Sequence, residues 1–247
     1  MRKPSWAKTL PRLYDLYSRS DPKNPKNYFE AKNIKKALAN LALRLDDIES
    51  DLQEMDEVAW KEFKSKTIPY VTATDKWGWN TQLFDRFNEA KGYVFLKEQG
   101  YTDIHFIPEV PGKKTPDLCG KRDDSAALLE VKTVHESNDA KDYMANAEKY
   151  RNERVAQTVQ HYLNDKMKQK LESTIHQATK QLLFEYPDPD INVKRRIIFL
   201  MVWLDFDSAT RRSGEELAQF LKQNRPENIE IAHHVENLFP LYDEFPS

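Results

Sequence analysis

Cysteine, glycine, net charge and long apolar runs are all scarce in this chain of 247 residues. Its one cysteine, Cys119, cannot close an internal disulfide, which agrees with a reducing compartment, and the six histidines beside it make no zinc-ligand spacing. Only 6 glycines argue for long helices over a turn-rich all-β fold. No stretch approaches the roughly 18 consecutive apolar residues of a membrane span. The opening MRKPSWAKTLPRLYDLY also lacks the apolar core of a secretory signal, so a cytoplasmic protein with no membrane partner is expected. With 38 Lys+Arg against 40 Asp+Glu the formal charge is −2, and the basic balance common in dedicated nucleic-acid binders is missing. What is present is enough for a core: 39% apolar residues with 5 Trp, 11 Tyr and 12 Phe exclude disorder throughout.

From Ile34 the apolar positions run Ile34, Leu38, Leu41, Leu45, Ile48, Leu52, Met55 and Ala59, alternating steps of four and three. This spacing predicts one amphipathic helix over about 29–64, packing within the chain or, failing that, against a second copy. Between Asp46 and Glu57 it carries seven acidic residues and no basic one, the pattern of a solvated face that would also repel nucleic acid. Turn formers and Pro69 and Gly78 interrupt the pattern over 67–80, where Asn80 or Thr81 would cap the next helix. The expected organisation is a helical N-terminal module over 1–80, followed by an α/β domain over 81–247.

After residue 80 the pattern reads as a helix over Thr81–Gln99 ended by Gly100, then strand-like runs at Asp103–Val110, Pro116–Cys119 and Ala126–Val134, the last two joined by a GKRDD turn. A second long helix runs from Val155 to about Tyr186, before Pro187 and Pro189. Arg196–Phe206 is the most hydrophobic segment and suits a buried central strand, while Gly214–Gln223 and Ile229–Val235 would add a crossover helix and a final strand. That order is an α/β core with a mixed sheet flanked by helices.

The chemistry-bearing feature is Thr115-Pro116-Asp117, followed after twelve residues by Glu130-Val131-Lys132. The chain has six acid-x-Lys triplets, but only the one at Glu130 lies in a strand-like run and follows a Pro-Asp at hairpin distance. Strand alternation puts Glu130 and Lys132 on one face, and a hairpin would bring Asp117 beside Glu130. Converging carboxylates form an all-oxygen site suited to Mg²⁺, and a nearby lysine would orient a water and offset charge on a phosphate. The plainer alternative is an exposed ion pair on an edge strand.

This arrangement resembles the PD-(D/E)xK nuclease superfamily, with its restriction-endonuclease-like fold. The upstream helix adds to the likeness, since Glu89, Gly92, Leu96 and Gly100 match the Glu, small, Leu, Gly spacing of its resolvase-like members. Ala178-Thr179-Lys180-Gln181-Leu182 is similar to the helix that points a Gln or Lys at the site, with Gln177, Lys180 and Gln181 competing for that role. The resemblance covers roughly residues 81–207. It implies a metal-dependent nuclease, acting on DNA in a defence, repair or mobile-element system, with Mg²⁺ as cofactor and Mn²⁺ substituting. It implies Asp117 and Glu130 as ligands, Glu89 as auxiliary ligand, Lys132 positioning the water and Gln181 in support. The segment from His135 to Tyr150 is longer than a compact core needs and reads as an insertion.

Charge resolved along the chain bears on the substrate. From Lys149 to Lys180 seven basic residues face three acidic ones, and Lys113, Lys114, Lys121 and Arg122 surround Asp117 in sequence. Lys113, Lys114, Lys121 and Lys180 are therefore candidate phosphate contacts. The rival expectation is a non-catalytic member of the fold that binds nucleic acid or protein. It would act as an assembly subunit, in a homodimer or larger complex formed through the N-terminal module.

Overall fold

The computed structural model describes residues 4–30, 45–74, 80–134, 163, 165–183, 192–204 and 211–237. The chain forms two compact units, Met1–Pro108 with Asp117–Asp124, and Glu109–Pro116 with Ser125–Ser247.

The first unit opens with a 3-10 turn and α1 (Pro11–Arg19), which has Pro11 at its first helical position and buries Leu13 and Leu16. Residues 45–53 form α2 and Glu57–Thr67 form α3. The single helix expected over 29–64 is therefore absent. Residues 28–30 are turn and bend, 31–44 lie outside the described residues, and the helix breaks at 54–56. The cause of the break is Asp56, whose extended backbone (φ −69, ψ 173) and side chain, accepting from the Ala59 N–H at 2.8 Å, start a new helix there. Leu45, Ile48, Leu52, Met55 and Ala59 are nonetheless all buried, because both helices turn this seam inward. Ile34, Leu38 and Leu41 lie outside the described residues.

The acidic run is largely the solvated face expected of it, with Asp46, Asp47, Glu54, Asp56 and Glu57 exposed, but it is not without partners. Glu49 is buried and accepts from two backbone N–H groups of α1, Asp51 pairs with Lys91 at 3.0 Å, and Glu54 pairs with Lys97 at 2.7 Å. Asp56 caps α3 and Glu57 meets Arg12 while both stay exposed, so Glu49 is the one buried acid of the run.

Helix α4 (Thr81–Glu98) follows, and Gly100 at φ 80 closes it while the Tyr101 N–H bonds the Leu96 carbonyl at 3.0 Å. Asn80 precedes it without a side-chain cap and donates instead to the Ala73 carbonyl. Strands β1 (Thr102–Phe106) and β2 (Leu118–Arg122) pair antiparallel, with His105 opposite Cys119. Both are shifted from expectation. β1 ends before Pro108, and β2 runs through Gly120, Lys121 and Arg122, so the turn after it is Asp123–Asp124, with Asp123 at φ 54. Gly120 serves close packing: a Cβ there would lie 3.0 Å from Tyr101 Cβ and 3.5 Å from Leu96. Phe63 of α3 and Tyr93 of α4 both pack on Phe106 of β1.

In the second unit β3 (Ser125–Val134), β4 (Val193–Leu204) and β5 (Glu230–Asn237) run parallel, with β4 between the others. Helix α5 (Asp165–Leu182) packs on β3 and β4, and α6 (Arg211–Gln223) on β5, so each parallel step is a helical crossover. Ile197, Ile198, Leu200, Met201 and Val202 of β4 are buried, as expected of a central strand. The sheet is five-stranded and mixed, in the order β1-β2-β3-β4-β5. Among the described residues no helix is long and apolar enough to cross a membrane.

Candidate functional site

In the first unit the apolar face of α4 is interrupted by Glu89, which is only 8% exposed. Asp117, the residue entering β2, acts on it electrostatically. One helical turn earlier on α4, Arg86 Nη1 lies 2.6 Å from Glu89 Oε1. Burial is the main force raising the Glu89 acid, the negative charge of Asp117 adds to it, and Arg86 and Lys66 pull the other way. The outcome is a carboxyl group pushed up to about 8.

Two cations bracket this pair. Burial works against the Arg86 charge, but Glu89, Tyr70 and Asp117 together hold its pKa above the ordinary value. Its guanidinium sits 5.1 Å from the centre of the Tyr70 ring. Lys66, near the end of α3, donates from Nζ to the Ile107 carbonyl at 3.2 Å and lies 5.7 Å from the Phe106 ring centre. The Ile107 N–H in turn bonds the Asp117 carbonyl at 2.9 Å, which fixes the backbone at that acid.

In the second unit Glu130 and Lys132 occupy one face of β3, opposite Ile198 and Leu200 of β4, and form an ion pair. This is not a solvated pair on an edge strand: β3 is interior in the sheet and the Glu130 side chain is 0% exposed, with Lys132 at 25%. Gln181 donates from Nε2 to the Thr115 carbonyl at 3.2 Å, two residues before Asp117, whereas Gln177 and Lys180 are exposed. Of the three competitors on α5, Gln181 is thus the one that reaches the motif segment.

Lys113 and Lys114 are exposed in the segment 109–116. Lys121 pairs with Asp103 at 3.0 Å, and Arg122 donates to the Gln99 carbonyl over the Tyr101 ring, so neither is directed by its recorded contacts to the acids. Cys119 is buried, as a small filler would be. Trp77, Trp79, His135, the segment 135–150, Lys149, Arg151 and Arg154 lie outside the described residues.

The structure thus brings Glu89 to Asp117 and Glu130 to Lys132. It adds three residues that sequence reasoning missed. Arg86 was legible, standing three residues before Glu89 on the same helical face. Lys66 and Tyr70 had no such signal, because they come from a segment read as a separate module.

Among the described residues no group of three or more His, Cys, Asp or Glu side chains gathers as a metal cage. Mg²⁺ does not need one, since it commonly takes one or two carboxylates, with phosphate oxygens and water completing its shell. Glu89 and Asp117 provide two hard oxygen donors whose mutual repulsion, expressed in the raised Glu89 acid, a divalent cation would relieve. The residues fit that kind of site. Compared with protein-family models, curated proteins and solved structures, the chain matches none.

Proposed function

We propose that this chain is a Mg²⁺-dependent nuclease with a restriction-endonuclease-like core, hydrolysing phosphodiester bonds in DNA. The observation that carries the reading is Glu89, a buried carboxyl group kept beside Asp117 although both burial and Asp117 oppose its charge. Folding stability does not favour two acids placed together in this way, which supports a role in chemistry. Asp117 and Glu89 would hold the cation, and the resemblance adds Glu130 as a further ligand. When bound, the cation supplies charge stabilisation on the phosphate, with Mn²⁺ able to replace Mg²⁺. Lys132, held by Glu130, places the attacking water and keeps a positive charge at hand for the developing oxyanion. Gln181 steadies the strand entry at Thr115, and through it the approach to Asp117.

A second reading has one observation behind it. Arg86 already closes Glu89 at 2.6 Å, as in a member of the fold that binds nucleic acid or protein without cutting. One experiment separates the two. Wild type and the Asp117→Ala and Lys132→Ala variants are incubated with linear, circular, branched and single-stranded DNA and with RNA, in Mg²⁺ and Mn²⁺. The nuclease reading expects cleavage by the wild type and a loss of at least about 100-fold in each variant, assayed below the temperature at which that variant begins to melt, because Lys132→Ala leaves the buried Glu130 without its ion-pair partner. Equal cleavage by Lys132→Ala would remove that residue from the reaction. Binding without cleavage by the wild type under every condition would establish the second reading.

A further inference from the structure

The lysines first singled out for substrate contact are exposed or paired elsewhere, while Arg86 and Lys66 stand at the Glu89 and Asp117 pair. Each is anchored by groups other than the acids. Arg86 is held against the Tyr70 ring, and Lys66 by the Ile107 carbonyl and the Phe106 ring. These anchors persist when a cation takes over the carboxylates. A divalent cation on the acids adds its charge beside Arg86 and Lys66, and that excess of positive charge is one an anion must answer. Arg86 also presents a planar fork of donors, the geometry that matches two phosphate oxygens at once.

We propose that Arg86 and Lys66 are the phosphate-binding cations of this site, Arg86 resting on Glu89 until a divalent cation occupies the carboxylates and Lys66 held beside the acids by the Ile107 carbonyl, both then serving the nucleic-acid backbone. This inference rests on the nuclease reading above. It assigns substrate contact to α3 and α4, where Lys66 comes from the segment first taken as a separate helical module.

The test measures binding of a labelled single-stranded oligonucleotide by fluorescence anisotropy, using the full chain carrying Lys132→Ala, with EDTA and with Mn²⁺. Adding Arg86→Gln or Lys66→Met should weaken binding at least about tenfold in Mn²⁺ and by no more than about twofold in EDTA. The dependence of log affinity on log salt should become shallower by about 0.7 for each cation removed. Glu89→Gln, which releases Arg86 without a metal, should tighten binding several-fold in EDTA, and it keeps the proposal falsifiable if Arg86→Gln fails to fold. Calorimetry of Mn²⁺ alone on wild type and Asp117→Ala runs in parallel. Equal weakening in both buffers, no weakening, or no effect of Glu89→Gln would overturn this assignment while Asp117-dependent Mn²⁺ binding persists. Loss of that metal binding in the wild type would instead overturn the nuclease reading beneath it.

Discussion

Glu49 accepts hydrogen bonds from the backbone N–H groups of Arg12 and Leu13, both at 2.9 Å, and from the Gln53 amide at 2.9 Å. The first two donors belong to the first turn of α1, where Pro11 has no N–H and those of Arg12 and Leu13 have no partner within the helix, so a carboxylate reaching in from α2 caps α1 from outside. The side chain is buried, and removing it would strand both donors away from water. Glu49→Ala is expected to cost about 3 kcal/mol, the sum of two hydrogen bonds to a charged group at the low end of their range. Glu49→Gln keeps one acceptor oxygen and should cost about half of that. Urea unfolding of the three proteins checks both values, and an unchanged midpoint for Glu49→Ala would show that the cap contributes nothing. The same residue shows why charge runs mislead. Nothing local to Asp46–Glu57 distinguishes Glu49 from Asp46; what does is α1, which arrives from more than thirty residues earlier.

At the scale of elements, α1 is tied to α3 by Asp15, whose Oδ2 lies 2.6 Å from Lys64 Nζ while Oδ1 meets Arg19 within α1 at 2.7 Å. Partial burial raises the Asp15 acid, but the hydrogen bonds and charges of Lys64 and Arg19 outweigh it and leave the pKa below the ordinary value. A carboxylate depressed in the folded state contributes stability above its unfolded pKa, near 3.9, and loses it as pH falls through the lower folded value. Asp15→Asn should therefore melt below the wild type at pH 6, and the gap should narrow as pH falls below the unfolded value; a gap of the same size throughout an acid titration would assign the effect to packing instead. This docking also marks the limit of what the sequence carried. The order of α4, three strands, α5, β4, α6 and β5 was legible because its signals are local: Gly100 after an apolar helix face, the hydrophobic run of β4, prolines after α5. The break at Asp56 was hidden, since Leu52, Met55 and Ala59 keep one helical spacing across it while two separate helices bury them. Of the proposed site residues, Asp117, Glu130 and Lys132 stand out by their spacing, and Glu89 through the resemblance of its helix. Lys66 does not, because α3 reaches β1 through Phe63 on Phe106, a tertiary contact with no local mark.

For the molecule as a whole, the formal charge of −2 looked like an acidic helix offsetting a basic one. Five acids of the run 46–57 have partners in Lys91, Lys97, Arg12 and helix N–H groups, so basic residues offset part of the charge of a run that stays largely exposed. Those pairings also bear on where the chain divides. The boundary expected at residue 80 is crossed by Tyr28 on Phe84, Asp51 on Lys91, Glu54 on Lys97, the Asp56 N–H on Tyr93 Oη and Phe63 on Phe106, all within the first compact unit. A fragment starting at Thr81 would keep α4, β1 and β2 but lose the buried side chains of Leu52, Met55, Trp60 and Phe63. Burying each such side chain contributes about 2 kcal/mol, and four together equal a large part of the roughly 5–15 kcal/mol that holds a domain folded. The fragment 81–247 is thus expected to show no cooperative thermal transition in circular dichroism, although it contains every strand among the described residues and Glu89, Asp117, Glu130 and Lys132. A sigmoidal melt within a few degrees of the full chain would instead establish residues 1–80 as a separable module, and would reduce the Lys66 contact to an accessory of an independent core.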